Sequence, residues 1–167
     1  MNDYSKQHKK AWEFDAYNFW VEHAGTPEER ARQDAQNPKA MLRRYAAYFD
    51  RFEGVRVANI CGSCGKKAIP LALLGAEVTI FDISEANKRY ALETAQAAHV
   101  TIHFEVCDIL EMDLSKYAGS FDVVFMEERI GAFVYSFLKK KLSKNTFRTR
   151  DGAEGTLRKS SEMELTA

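Results

Sequence analysis

The residues best placed to do chemistry are Gly62, Ser63 and Gly65, followed by the acids Asp82 and Asp108, each closing an apolar run. Residues 55–82 read VRVANICGSCGKKAIPLALLGAEVTIFD: an apolar run, a Gly/Ser/Cys loop at 61–65, a helical segment, then a second apolar run ending on Asp82. That order makes a strand–loop–helix–strand unit of the kind that binds a nucleotide-like cofactor. Loop glycines let backbone approach a ligand closely, and the N-terminus of the following helix offers unpaired N–H groups. Asp82 stands twenty positions after Gly62, where an acid at the end of a second strand accepts two ribose hydroxyls.

The same loop holds Cys61 and Cys64 at C-x-x-C spacing, with Cys107 further on. A thiol near a helix N-terminus has a lowered pKa, so a redox role has to be weighed. An odd count of cysteines argues against a disulfide framework. Cys107 ends the third strand, roughly 10 Å from the first in the usual strand order, which leaves too few ligands for zinc. The reading preferred is of small thiols filling the loop, with no metal.

The elements that must position these residues follow from periodicity. Residues 11–23 predict one helix whose aromatics Trp12, Phe14, Tyr17, Phe19 and Trp20 cover more than one face, as in a sandwiched segment. Thr26-Pro27-Glu28-Glu29 predicts a helix start with a capping box, and Asn37-Pro38 another. Met41, Tyr45, Tyr48, Phe49 and Phe52 recur at helical spacing up to Gly54. From residue 55 the pattern alternates. Strands are predicted at 55–60, 77–81, 101–106 and 121–126, near-continuous apolar runs as in parallel strands buried on both faces. Pro70 should kink the first helix or delay its start; Ser84 caps the second, and His99 occupies its exit, where glycine would be easier. The fold expected is a doubly wound, mostly parallel α/β sheet. It divides into a helical cap (1–54), a cofactor-binding domain (55–138, ending in a helix over 130–142) and a basic, polar, disordered tail (139–167).

Lys+Arg and Asp+Glu both number 24, so bulk charge gives no argument for nucleic acid or an anionic membrane. MNDYSKQHKK has no apolar core for a signal peptide, and no run approaches the roughly 20 apolar residues that span a bilayer. Cytoplasm is the location expected.

Residues 55–127 resemble the cofactor-binding half of a class I S-adenosylmethionine-dependent methyltransferase. The likeness rests on Gly62-Ser63-Cys64-Gly65-Lys66-Lys67-Ala68, on LALLGAEVTIFDISEANKRYA and on FDVVFME. It is similar to the small bacterial branch of that family, whose aromatic N-terminal helices form a cap. The resemblance implies a Rossmann-like fold, S-adenosyl-L-methionine as cofactor and a small-molecule methyl acceptor. It places Asn59, Gly62, Ser63 and Gly65 at the methionine and sugar end, Asp82 on the ribose and Ile83 against the adenine face. Asp108 would accept the adenine amino group, Ile109 would flank the ring, and Glu127 would face the transferring methyl. Glu127, Glu128, Tyr17 and His23 are the available bases, and none is assigned. An acid after a strand can also serve only to cap the next helix.

The chain departs from the family in three places. Asn59 stands where an acid is usual, and the loop has two glycines instead of three. After Met126-Glu127 a glycine pair and a histidine–aromatic segment are expected, but the chain continues Glu128-Arg129-Ile130-Gly131-Ala132-Phe133 into a basic tail. That change suggests a reading-frame shift or an alternative C-terminus, a domain incomplete at its C-terminal side, and self-association through the apolar edge at 121–126. Two other readings stand beside the enzyme. A nicotinamide-dependent oxidoreductase would need G-x-G-x-x-G/A where this loop has G-x-x-G-x-x-A. A degenerate domain would hold the cofactor without turnover.

Overall fold

The computed structural model describes residues 3–117 and 119–126. Glu127, Glu128, the helix expected over 130–142 and the tail lie outside the described residues. Four strands, β1 (Arg56–Ile60), β2 (Glu77–Asp82), β3 (His103–Val106) and β4 (Val123–Met126), form a parallel sheet of order β3-β2-β1-β4. The chain runs outward from β1 to β3 and then returns to the other side of β1, so the doubly wound order holds. Central β1 is buried from Val57 to Ile60. Edge strand β3 starts two residues later than its apolar run, because Thr79↔His103 is its first register pair, and it alternates with His103 and Glu105 exposed. The expectation of strands buried on both faces fails at that edge, where one face is left to water. β4 lies at the opposite edge of the described sheet and is half-buried at Val123, Val124 and Met126.

The two faces are covered differently. Helices α5 (Ala68–Leu73) and α6 (Glu85–Ala97) lie on the face of Val57, Val78, Ile80 and Phe104. The other face, with Ala58, Ile60 and Phe81, is covered by the β3–β4 connection. There Phe81 meets Tyr117 and Phe121 edge-to-face, with centroids 5.0 and 5.8 Å apart. Arg56 fixes the start of β4: its guanidinium grips the Asp122 carboxylate at 2.7 and 3.1 Å, while the Asp122 N–H donates to the Arg56 carbonyl.

The N-terminal third is helical, as the spacing predicts, but its first segment is not one sandwiched helix. α1 (Asp3–Glu13) and α2 (Ala16–Ala24) are broken at Phe14-Asp15, where Asp15 adopts a left-handed φ of 53°. α2 has no fully buried residue, and Phe14 is 86% exposed. α3 (Pro27–Gln36) begins with the full Thr26–Glu29 capping box, and α4 (Pro38–Leu42) with Asn37 accepting from the Ala40 N–H. The apolar helix expected through Phe52 tightens at Arg43 into a 3-10 turn ending at Tyr48. α2 and α3 pack on α6, and α4 on α5. Lys67 ties loop to cap: buried, it donates to the Met41 carbonyl at 2.7 Å and lies 5.7 Å over the Tyr45 ring. Next to it the fully buried Asp34 accepts from Arg30 Nε at 3.0 Å, and Arg30 Nη2 adds an ion-pair contact at 2.9 Å. Among the described residues no helix is long and apolar enough to cross a membrane.

Candidate functional site

The loop after β1 departs from the sheet in a sequence of left-handed residues: Cys61 (φ 50°), Ser63 (φ 51°) and Gly65 (φ 79°). Only one of the three is glycine, so the other two carry backbone strain of about 1–2 kcal/mol each. Gly65 is needed twice over, since a Cβ there would also lie 3.2 Å from the Ala91 Cβ of α6. Gly62 is needed for a different reason. A Cβ would sit 2.6 Å from Asn59 Oδ1 and 2.9 Å from Ile80 Cγ2. Both glycines therefore serve the shape of the loop and its packing, and both are buried.

Part of the first turn of the helix following the loop is not open to a ligand. α5 starts at Ala68; the Ile69 N–H is bonded to the Gly65 carbonyl, and Pro70 has none to give. Pro70 falls in the first turn, where its ring is tolerated, so it delays the helix without kinking it. The loop donor that reaches a site acid is the Ser63 N–H, at 3.0 Å from Asp82 Oδ2. The other Asp82 oxygen accepts from the Ser84 N–H (3.1 Å) and Asn87 Nδ2 (3.2 Å), which leaves the carboxylate 8% exposed. Asp82 thus does the local capping work of a strand-end acid.

Asp82 and Asp108 lie on the same edge of the sheet. Asp82 pairs with Val106 across β2 and β3, and its carbonyl accepts from the Cys107 N–H at 2.8 Å. Asp108 Oδ1 accepts from the Leu110 N–H at 3.0 Å, whereas Oδ2 is buried with no partner. Asp108 and Ile83 open on a cleft of about 260 Å³ that Lys9, Glu111 and Met112 also line. Whole small-molecule pockets run to about 300–1,000 Å³, so this cleft is smaller than a complete ligand site. Ile109 is set behind it, buried against Ala58, Ile60 and Phe81. Asn59 is 1% exposed beneath Gly62, with both amide atoms unpartnered. Glu127 falls outside the described residues.

Three residues that the sequence reading missed come from the cap and from α6. Glu13 accepts from the Glu85 and Ala86 N–H groups (2.5 and 3.2 Å), which caps α6 and brings Lys9 of α1 over the cleft. Asn87 holds Asp82. No local signal marks any of these, because each depends on a partner distant in sequence or on a helix face. Of the bases considered, the Tyr17 hydroxyl bonds to Glu93, which raises its pKa, and His23 Nδ1 meets the Phe19 carbonyl at 2.8 Å. Neither lines the cleft.

The thiols are held protonated, contrary to the lowered pKa a helix N-terminus would give. Burial, with the Asp82 charge, pushes Cys61 up to about 12, and burial alone holds Cys64 at about 11. Burial, with the nearby Glu105 and Asp108 charges, likewise pushes Cys107 up to about 11. Among the described residues all three cysteines are free thiols. Among the described residues no cluster could hold a metal ion.

A parallel sheet with strand order β3-β2-β1-β4, a tight loop after β1 and acids at the ends of β2 and β3 define a Rossmann-like α/β domain. A family model described as a methyltransferase domain matches residues 57–148, more than half of the chain and past Glu127. The chain belongs to this family, and the nicotinamide alternative falls with that match. The crystal structure of magnesium protoporphyrin IX methyltransferase from Synechocystis PCC 6803 with bound SAM is similar at a TM-score of 0.63. It shares 17% identity over 98% of this chain and 83% of that one. The same enzyme with bound SAH gives a TM-score of 0.55 and 21% identity, covering 74% of this chain and 58% of that one. At such identities the likeness shows the fold. Ribosomal RNA small subunit methyltransferase B of Thermus thermophilus is 31% identical over 74 residues, 44% of this chain but only 18% of that protein. The chain therefore spans less than a fifth of the length of that relative.

Proposed function

We propose that this chain binds S-adenosyl-L-methionine and transfers its methyl group to a small-molecule acceptor. The observation that carries the reading is Asp108, which lines a cleft with Ile83 on the same sheet edge as Asp82 and has one carboxylate oxygen without a partner. A buried carboxylate oxygen without a donor is costly, and the exocyclic amine of adenine is a donor of the right kind. The two unpartnered Asn59 atoms add polar capacity beneath the loop.

When bound, S-adenosyl-L-methionine would supply an already activated sulfonium methyl for transfer to an acceptor lone pair, with the thioether sulfur as the leaving group. The chain supplies position and dryness. Asp82, steadied by Ser63, Ser84 and Asn87, accepts the ribose hydroxyls. Asp108 accepts from the adenine amine, Ile83 lies on the ring face, and Ile109 backs the pocket from the core. Asn59, Gly62, Ser63 and Gly65 shape the methionine and sugar end. Glu127 at the transferring methyl rests on the family resemblance.

Titration of the purified chain with S-adenosylmethionine, S-adenosylhomocysteine and NAD, with Asp82→Ala as control, tests the reading. The first two should bind and lose affinity in the variant; NAD binding alone would overturn the assignment. A labelled methyl group should then pass to the small-molecule fraction of a cell extract. Label in RNA would instead support a second reading, an RNA acceptor, which the likeness to the ribosomal RNA enzyme favours. Binding without transfer to either fraction would identify a domain that holds the cofactor without turnover.

A further inference from the structure

Asn87 occupies a place that few side chains could fill. It is 3% exposed, and its two amide groups face partners of opposite kind. Trp20 Nε1 lies 2.7 Å from its carbonyl oxygen, and its Nδ2 lies 3.2 Å from Asp82 Oδ1. An indole N–H only donates and a carboxylate only accepts, so the amide has a single productive orientation. Its backbone is fixed too, because the Asn87 N–H donates to the buried Ser84 hydroxyl at 3.1 Å. Aspartate here would set a second negative charge against Asp82. Leucine would leave both the indole and the carboxylate without that partner.

We infer that Asn87 is a positioning residue for the ribose acid, and that Trp20 of α2 holds it, so that docking of the N-terminal cap sets cofactor affinity. This rests on the cofactor reading above. The chain of contacts runs from the cap, through one amide, to the carboxylate, and from the carboxylate to the glycine loop through the Ser63 N–H. Asp82 has few ways to turn while Ser63, Ser84 and Asn87 all hold it. With Asn87 lost, Oδ1 keeps only the Ser84 N–H and the carboxylate can rotate about its last bond. Linkage is reciprocal: whatever cap docking does for cofactor affinity, bound cofactor does for cap docking.

The test is a double-variant cycle on S-adenosylhomocysteine affinity, measured by calorimetry well below the melting temperature of each variant. Asn87→Leu should weaken binding about tenfold, as for a lost hydrogen bond to a charged group. Trp20→Phe, which keeps an aromatic ring but loses the N–H together with part of the indole, should weaken it about threefold by leaving the amide less constrained. In an Asp82→Ala background, Asn87→Leu should change affinity by less than about twofold, since the residue it acts through is gone. Additive losses in that background, or wild-type affinity in Asn87→Leu, would overturn the inference while the cofactor reading stands. A wild-type chain that binds no S-adenosylhomocysteine overturns both.

Discussion

Replacing Asp108 with asparagine exchanges one atom for another of equal size and inverts what the cleft can accept. In the structure Asp108 Oδ1 is committed to the Leu110 N–H at 3.0 Å, and Oδ2 is buried and unpartnered. Asparagine has one acceptor, which stays on the Leu110 N–H, so its NH₂ group takes the place of Oδ2. In the proposed site adenine would present its own NH₂ there, so donor would meet donor. The wild-type bond is to a charged acceptor and is worth about 1.5–3 kcal/mol, or roughly 10- to 150-fold in affinity at about 1.4 kcal/mol per decade. The loss should fall toward the upper end, because the variant adds a repulsion to a missing bond. Stability should hold, since an unpartnered charged oxygen is exchanged for an unpartnered but neutral NH₂ and the Leu110 contact is kept. Calorimetry with S-adenosylhomocysteine and its hypoxanthine analogue reads both parts. The hypoxanthine analogue offers a carbonyl where adenine has an amine, so Asp108→Asn should prefer it and the wild type should prefer adenine. Binding of S-adenosylhomocysteine within twofold of wild type, with no change of preference, would refute the placement of the adenine edge.

Three further outcomes concern the scaffold. Gly65→Ala should cost about 1–3 kcal/mol in urea unfolding, from a left-handed φ and a 3.2 Å contact with Ala91; adding Ala91→Gly should recover the contact share and leave the backbone share. Arg30→Met should cost roughly 3–5 kcal/mol, because it leaves Asp34 buried without its guanidinium, and Arg30→Met/Asp34→Leu should regain most of it. The alkaline limb of stability should include Cys64. Its thiol ionises at about 11 in the fold against 9.0 unexposed to burial, so the folded state holds the proton longer and stability falls as pH rises between those values. The slope from this thiol is about 1.4 kcal/mol per pH unit, and Cys64→Ala should flatten it in denaturation curves taken from pH 8 to about 11.

What was legible in the sequence is what local chemistry decides. The Thr26–Glu29 box, the Ser84 cap and the left-handed exit at His99 (φ 56°) all depend on neighbours within a few positions. Strand order followed from the alternation of strands and helices, and the shared edge of Asp82 and Asp108 from that order. The break at Phe14-Asp15 was not legible, because the aromatic spacing runs through it and only docking of α1 on α6 decides where the helix stops. Nor was the 3-10 turn at Arg43, whose apolar positions read as helix. Pro70 bears out the sequence in one respect, since α5 starts at Ala68 with the proline in its first turn. The polar contacts of Asn87 and Glu13 join residues 67 and 72 positions apart, beyond the reach of any local pattern.

Those long separations bear on the order of synthesis. Glu13 and Trp20 leave the ribosome with no landing place, for their partners at Glu85 and Asn87 are made much later. Until then Trp12, Phe14 and Phe19, which stay partly wet even in the finished fold, travel as bare aromatic surface. Closing so long a loop costs about 4 kcal/mol in chain entropy. The first helices made are thus the last to settle, and a nascent chain halted before α6 would be the stickiest form of this protein.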